Sequence, residues 1–274
     1  MSGEIVSGEI HHYDKNITHY FTTSLHTKKM KLISLDLSII SYENALKEIL
    51  QLAHTHTPSY ACFANVHMTI EAHDNPDFAQ KVNKANFVFT DGKPLCLALK
   101  LKHNIIQPRI AGMDFMPDIL QKANNQFGNQ VNKEKLNVFL YGSTKEILEK
   151  ISEKIKEKYP QINVCGSISP PFIEILEEEK QNYINQINKA NTHLVFVALG
   201  CPKQEIWMSE NSPQINAVLL GVGGAFPVFA QMQKRAPKIL QNLALEWVFR
   251  LSQEPKRLFR RYFYTNLKFL KLLK

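Results

Sequence analysis

The sequence predicts an α/β protein with a doubly wound parallel sheet, followed by a basic, amphipathic helical appendage. Two features of its 274 residues indicate the sheet. From Leu32 onward, short apolar runs alternate with amphipathic stretches, which is the pattern of successive strand–helix units. Several apolar runs end at a glycine or a polar side chain, where an α/β sheet offers its binding crevice. The appendage is indicated by positive charge gathered near the end of the chain.

The chain is expected to divide into three parts. Residues 1–30 show no periodicity and are expected to form a flexible arm. The α/β core is expected to span 31–235, and the appendage 236–274.

The first half of the core is the less regular one. Its predicted elements are a strand at 59–68, a helix at 69–85, a strand at 87–89 and a helix at 93–103. The first of these strands ends near Asn65, and the second stops at Asp91-Gly92. The Asp91 carboxylate therefore lies at the carboxyl end of a hydrophobic strand, beside a glycine turn.

The second half shows the alternation most clearly. Its predicted elements are strands at 136–142, 162–166 and 193–200, a strand running into a glycine-rich turn at 217–226, and helices at 143–159 and 172–190. Ser143 or Thr144 can cap the first helix, and Glu146 lies in its first turn. This order is typical of a Rossmann-like sheet, in which ligands bind at the carboxyl ends of the strands.

Composition predicts a globular protein of a reducing compartment. The chain is 44% hydrophobic and 10% aromatic. Its cysteines lie far apart without a C-x-x-C pair, so reduced thiols are expected at Cys62, Cys96, Cys165 and Cys201. No apolar run approaches the roughly 20 residues that span a bilayer, and the polar start of the chain does not resemble a signal peptide. We therefore expect a cytoplasmic protein.

The net charge of +8 belongs to the tail. From Lys234 to Lys274 there are 11 basic and two acidic residues, whereas the remainder holds 22 basic and 23 acidic ones. Beyond Pro255, apolar residues recur at helical spacing on one face, at Phe259, Phe263, Leu267, Leu270 and Leu273. A second face is basic, with Arg257, Arg260, Arg261, Lys268 and Lys271. The pattern favours an anionic membrane surface as partner, and the alternative is a helix docked on the core with its basic face in solvent.

Three predicted strand ends carry polar or glycine-rich turns, namely Asp91-Gly92, residues 200–205 and residues 221–224. The glycine turn does not match G-x-G-x-x-G, and the chain has no P-loop, no H-E-x-x-H and no G-x-S-x-G. It also has no D-x-D pair, which many nucleotide-sugar enzymes use to hold a divalent metal on the diphosphate. Positive side chains would then have to stabilise a leaving diphosphate.

Several motifs occur together, in one order, along residues 33–270. They are FANVHM (63–68), FTDGKPL (89–95), RIAG (109–112), LYGS (140–143), ALGCPKQEIWM (198–208), GVGGAF (221–226) and the basic tail from residue 234. In this combination the chain resembles the WecG/TagA/CpsF family of bacterial glycosyltransferases, glycosyltransferase family 26. The resemblance implies inverting, metal-independent transfer of an N-acetylmannosamine-type or related sugar from a UDP donor. The implied acceptor is an undecaprenyl-diphosphate-linked sugar at the inner face of the cytoplasmic membrane, in surface polysaccharide assembly.

The resemblance also implies roles for individual residues. Asp91 matches the proposed base of the family, which would take the proton from the acceptor hydroxyl. Asn65, Arg109 and Gln204 match residues placed at the active site. Expected donor or diphosphate contacts are Gly142, Gly200, Lys203, Gly221, Gly223, Gly224, Arg250, Arg257 and Arg260, with no metal ligand and no cofactor besides the UDP-sugar substrate. The three arginines belong to a tail that can fold over the active site in this family.

Two positions depart from the family pattern. Phe63 stands where many members carry threonine, and Pro227-Val228 stands where many members read D-F after A-F. Three other interpretations stay open from the sequence: a nucleic-acid-binding protein with a basic tail, a Rossmann-type dehydrogenase, and a glycosyltransferase with a soluble acceptor. The positive charge is confined to the tail, which disfavours the first interpretation, and we expect no nucleic-acid partner. The absence of a G-x-G-x-x-G nicotinamide fingerprint disfavours the second. A homo-oligomer that covers the apolar face of the tail is also compatible with the sequence.

Overall fold

The structure is a computed structural model that describes residues 27–128, 135–171, 173, 175–243 and 245–274. The predicted arm lies outside these residues except for 27–30, and Lys29 and Met30 already belong to β1 (Lys29–Leu32). β1 pairs antiparallel with β2 (Leu35–Ser38) in a small two-stranded sheet.

Within the described residues, the centre of the fold is a six-stranded parallel sheet. Its strands are β3 (Ser59–Ala64), β4 (Phe87–Thr90), β5 (Leu136–Gly142), β6 (Ile162–Ile168), β7 (Leu194–Ala198) and β8 (Val218–Gly221). The spatial order is β4-β3-β8-β7-β5-β6. β3, β4 and β8 are buried at every residue because helices cover both faces of the sheet, which is why these strands are continuous apolar runs.

Helices pack on both faces of this sheet, as the doubly wound prediction requires. They are α1 (Tyr42–His54), α2 (Val66–Asp74), α3 (Pro76–Asn83), α4 (Lys93–His103), α5 (Gly112–Gly128), α6 (Lys145–Lys158), α7 (Glu177–Lys189), α8 (Lys203–Asn211), α9 (Ala225–Phe229), α10 (Lys238–Asn242), α11 (Glu246–Gln253) and α12 (Pro255–Leu272). One buried cluster joins the sheet to α1, α5, α6 and α9. A second cluster, on the other face, joins it to α2, α3, α4, α7, α8 and α12. The predicted Rossmann-like α/β fold is confirmed.

Some predicted boundaries are wrong in detail. The helix predicted at 69–85 is two helices, because Pro76 disfavours helical backbone at Asn75. The Asn75 side chain instead caps α3 by accepting a hydrogen bond from the Phe78 N–H at 3.1 Å. The helix predicted at 172–190 begins at Glu177. Thr144 and not Ser143 caps α6, since Ser143 has a left-handed φ of 65°.

The appendage contains α10, α11 and α12, and α12 packs against α2. Leu258, Thr265 and Phe269 form its buried face. Lys268 makes an ion pair with Asp74 of α2, and the Tyr264 hydroxyl donates to the same carboxylate at 3.1 Å. The predicted apolar face is a different one and is exposed at Phe259, Phe263, Leu267 and Leu270, whereas Leu273 is partly buried. α12 is therefore docked on the core as the alternative interpretation expected, and an apolar face still meets solvent. The anionic membrane surface as its partner stays a prediction.

Across the described ranges, no helix is both long enough and apolar enough to cross a membrane.

Candidate active site

A pocket of about 780 Å³ opens at the carboxyl edge of the sheet. Its floor is formed by residues that follow β3, β4, β7 and β8, the position that a doubly wound sheet offers to ligands. Residues of α11 and α12 form the opposite wall. The core and the appendage thus enclose one site together.

Asp91 lies on the floor of this pocket, directly after β4. Its N–H donates to the carbonyl oxygen of Ala64 at 2.8 Å, which fixes the turn against the end of β3. Loss of water around the carboxylate raises the pKa of Asp91 to about 7, and the negative charge of Glu246 adds to the rise. The positive charges of Arg109 and Arg250 act in the opposite direction. A carboxylate with a pKa near neutrality can accept a proton far more readily than an ordinary aspartate.

Asn65 follows β3 and lies beside the Asp91 turn. Its Oδ1 accepts a hydrogen bond from the Met68 N–H at 3.1 Å and so caps α2. Its Nδ2 makes no hydrogen bond to any part of the chain that the structure describes. A Cβ placed on Gly92 would be only 3.6 Å from the Asn65 Cα and Cβ, so the two turns are in contact. The cap fixes the amide in the pocket and leaves its nitrogen available to a ligand.

Two arginines reach the same pocket from opposite sides. Arg109 precedes α5, and its guanidinium pairs with Asp114 and with Glu246, both at 2.8 Å. Arg250 projects from α11 and lies against Gly224, where an added Cβ would be 2.7 Å from its Nη2. Among the described residues Arg250 has no ion-pair partner. The Arg250 guanidinium is therefore available to an anionic ligand in the pocket.

Gln204 connects the turns that follow β7 and β8. Its Oε1 accepts from the Gly200 N–H at 3.2 Å, and its Nε2 donates to the Gly221 carbonyl oxygen at 2.8 Å. The same Nε2 donates to Glu205 Oε1 at 2.7 Å. Burial raises the pKa of Glu205 to about 7. Gln204 thus shapes the pocket floor by holding two glycine turns together.

The glycine turns leave room for this amide. A Cβ on Gly223 would be 3.0 Å from Gln204 Oε1, and Gly223 also has a left-handed φ of 45°. A Cβ on Gly221 would be 2.6 Å from the Met208 Cε. Gly200 has open space around it and a φ of 79°. All three, with Gly224, line the pocket, and their predicted contact with the donor stays a prediction.

Four other predicted donor contacts lie elsewhere. Gly142 does not line the pocket; at the end of β5, with a φ of 104°, it lets that strand pass Ala198, whose oxygen an added Cβ would meet at 2.6 Å. Lys203 lines a second pocket of about 740 Å³ on the other side of Leu199. Arg260 is exposed and does not line the first pocket, whereas the neighbouring Arg261 does. The side chain of Arg257 lies outside the part of the chain that the structure describes.

The acidic partners of the site were not predicted from the sequence. Glu246 and Glu254 both line the pocket, and Asp114 pairs with Arg109 and, at 2.7 Å, with Arg235. One signal was present, since Glu246 and Glu254 are the two acidic residues of an otherwise basic tail. Isolated acids in such a segment indicate contact with basic groups of the core.

The two departures from the family pattern also face this region. Phe63 is buried against Phe89 and Phe115, with ring centroids 5.4 Å away in each case, and its edge lines the pocket. Pro227 lines the pocket at the start of α9. Each replaces a group that could hydrogen-bond a ligand by an apolar one.

Nucleophilic cysteine chemistry finds less support at this site. Cys201 lines the pocket, but burial raises the pKa of its thiol strongly, so it is not an activated thiolate. In the described part of the chain, no three His, Cys, Asp or Glu side chains come together in an arrangement that could hold a metal ion.

Comparison with known proteins agrees with this geometry. The model of the Glycosyl transferase WecG/TagA/CpsF family matches residues 30–274. The chain belongs to this family. A curated relative from Bacillus subtilis (strain 168), N-acetylglucosaminyldiphosphoundecaprenol N-acetyl-beta-D-mannosaminyltransferase, is 33% identical over 194 residues, which cover 70% of this chain and 71% of the relative. The glycosyltransferase interpretation of the sequence is confirmed.

Proposed function

We propose that this member of the WecG/TagA/CpsF family is an inverting, metal-independent glycosyltransferase with a UDP-sugar donor. The transferred sugar is of the N-acetylmannosamine type or a related hexose, and the acceptor is a sugar on undecaprenyl diphosphate. The name of the Bacillus subtilis relative, which is 33% identical, gives an N-acetylmannosaminyl group and a diphosphoundecaprenol-linked N-acetylglucosamine for that protein, and this supports the choice of sugar and acceptor. The product would enter the assembly of a bacterial surface polysaccharide.

The observation that carries the proposal is the Asp91 carboxylate on the floor of a pocket that Arg109 and Arg250 also line. Inversion in one displacement needs a base that removes the proton of the acceptor hydroxyl while its oxygen attacks the anomeric carbon. With a pKa of about 7, Asp91 is partly ionised at neutral pH and holds the abstracted proton well. Asn65 lines the same pocket, and its Nδ2 can orient a sugar hydroxyl or carbonyl.

The positive side chains fit the departing diphosphate. Negative charge develops on the leaving UDP oxygen, and guanidinium groups stabilise it by charge-assisted hydrogen bonds. Arg250 has no ion-pair partner in the described chain and faces the glycine turn at Gly224. Gln204 acts indirectly, because its amide is committed to Gly200, Gly221 and Glu205. The guanidinium groups thus stabilise the leaving diphosphate, as a divalent metal does in other sugar transferases.

The appendage fits a membrane-bound acceptor. The exposed apolar face of α12 includes Phe259 at 60% and Phe263 at 65% exposure, with exposed Arg260 and Lys271 beside it. Such a helix binds an anionic surface through its apolar face and gains roughly 1 kcal/mol for each basic residue close to the membrane. The protein would then be peripheral on the inner face of the cytoplasmic membrane, where the lipid-linked acceptor is met.

The test is release of UDP from a panel of UDP-sugars, with an undecaprenyl-diphosphate-GlcNAc analogue and EDTA present. Wild type is compared with Asp91→Asn, which keeps the shape of the side chain and removes the base. We expect acceptor-dependent release by wild type and a loss of about 10²-fold or more in the variant. Equal release by both proteins would show that Asp91 is not the base and serves only in the turn. Release that requires a divalent metal would refute the metal-independent mechanism.

A further inference from the structure

A group of exposed apolar side chains lies on α4 and directly after it. Leu101 at 83% and Ile106 at 81% are the most exposed large apolar side chains that the structure describes, and Leu97 is 56% exposed. Leu97 and Leu101 are four residues apart, so they share one face of the helix. The Ile105 N–H donates to the Leu99 carbonyl oxygen at 3.3 Å, which keeps Ile106 beside the last turn of α4. Leu97, Leu101 and Ile106 thus form one exposed apolar group, the α4 patch.

Positive charge surrounds the α4 patch. Lys100 and Lys102 are both exposed, and they lie about 100° to either side of Leu101 around the helix. His103 follows in the same last turn. From residue 92 to residue 113 the chain has no acidic side chain. Lysines that flank apolar side chains can keep their ammonium groups among lipid headgroups while the apolar side chains enter the layer below. The charge around the α4 patch is therefore complementary to an anionic lipid surface.

α4 and α12 lie on the same face of the sheet. Leu95 and Leu99 of α4 and Phe269 of α12 belong to one buried cluster. The first turn of α4, at Pro94, and Arg261 of α12 line the same pocket. A flat surface that meets this face of the protein can therefore contact exposed side chains of both helices near the pocket.

We propose that the α4 patch is a second membrane contact, which binds an anionic lipid surface together with the exposed apolar face of α12. This inference rests on the proposed lipid-linked acceptor, and it adds the place at which the core itself meets the membrane. A single amphipathic helix on a bilayer leaves the attached protein free to rotate about the long axis of that helix. Contact through two helices removes this freedom and keeps the pocket turned toward the surface that carries the acceptor.

Cosedimentation of the full chain with lipid vesicles tests the α4 patch. The vesicles are an equimolar mixture of phosphatidylglycerol and phosphatidylcholine, or phosphatidylcholine alone, and no substrate is present. We expect Leu97→Gln/Leu101→Gln to lower the partition coefficient on the anionic vesicles about tenfold or more, because two leucine side chains no longer leave water. Both positions are exposed, so the double variant should fold as the wild type does, which circular dichroism checks.

Leu176→Gln is the matched control. Leu176 is 78% exposed, but residues 177–179 are all glutamate, which an anionic surface repels. We expect its partition coefficient to stay within about twofold of the wild-type value. An unchanged partition coefficient in the double variant, or an equal loss in Leu176→Gln, would overturn the proposal.

Lys102→Gln tests the charge around the α4 patch without removing an apolar side chain. We expect about fivefold weaker binding to the anionic vesicles and unchanged binding to phosphatidylcholine alone. Equal binding of this variant and the wild type to the anionic vesicles would overturn the assignment to an anionic surface.

Sedimentation velocity without vesicles tests a second copy of the chain as the occupant of the α4 patch. A wild-type dimer that the double variant dissociates, with equal vesicle binding by both proteins, would assign the α4 patch to that copy and overturn the proposal.

The outcomes also separate this inference from the proposed function. Weaker vesicle binding by the double variant, with no sugar transfer by the wild type, would refute the proposed function and support the α4 patch as a membrane contact. Sugar transfer by the wild type, with equal vesicle binding by both proteins, would refute the α4 patch alone.

Discussion

Asp91→Asn should stabilise the folded protein at alkaline pH while it removes the proposed base. The pKa of Asp91 is raised from 3.8 to about 7, so the folded state binds this proton more tightly than the unfolded chain does. Wherever the folded state binds more protons, stability falls as pH rises, and the fall for this group extends from about pH 4 to pH 7. The asparagine amide does not titrate in this pH range, so the variant does not lose this stability as the pH rises.

The magnitude follows from the size of the shift. A change of about three pKa units at 1.36 kcal/mol each gives about 4 kcal/mol. Access of water through the open pocket reduces this value, so we expect a gain of about 2–4 kcal/mol in the free energy of unfolding at pH 8. At pH 4.5 both proteins carry a neutral group at this position, and the difference should fall below about 1 kcal/mol.

Equilibrium urea unfolding at the two pH values measures these differences. Glu153→Gln, an exposed position on α6, removes one carboxylate of the surface and should change the free energy of unfolding by less than about 0.5 kcal/mol at either pH. Equal stability of wild type and Asp91→Asn at pH 8, or a variant that is less stable there, would show that the carboxylate is not desolvated. Asp91 would then not have a pKa near 7, and the argument for it as the base would be refuted.

Three further predictions follow from the geometry of the site. Gly142→Ala should lower the free energy of unfolding by about 1–3 kcal/mol in urea, because the residue has a φ of 104° and its Cβ would meet the Ala198 oxygen at 2.6 Å. Gly224→Ala should displace the flexible Arg250 guanidinium and raise the calorimetric Kd for UDP about threefold or more, with stability within about 1 kcal/mol of wild type. Removal of residues after about 240 should abolish transfer to a lipid-linked acceptor and leave a cooperatively folding core; full activity of that truncation would contradict the role of the appendage.

Much of the sheet could be predicted from the sequence because its strands are buried on both faces. The run at 136–142 coincides with β5, and the other long apolar runs fall on the remaining strands. α5 was not predicted, since it begins at a glycine and contains Pro117. The β1–β2 hairpin was not predicted either, because strands of four residues carry too little periodicity.

The strand ends also identified most of the pocket floor. Asp91, Asn65 and the glycine turns lie after parallel strands, so their convergence follows from sheet order alone. Arg109 follows no strand, and only the motif resemblance indicated it. Its partner Glu246 is 137 positions away, and no local pattern predicts an ion pair over that separation.

The arginines of α12 show why the rest could not be predicted. Arg260 and Arg261 differ by one position, which is about 100° around a helix. Which one meets the pocket depends on how α12 is rotated against α2. Apolar residues occur both on the docked face, as at Leu258 and Phe269, and on the exposed face, as at Phe263. Hydrophobic periodicity therefore fixes the existence of this helix but not its rotation.

The proposed base and the expected loss of stability have one physical cause. Burial that excludes water raises the pKa of Asp91, and the same burial makes the ionised folded state less favourable. Glu246 increases both effects by placing a second negative charge nearby, while Arg109 and Arg250 limit them.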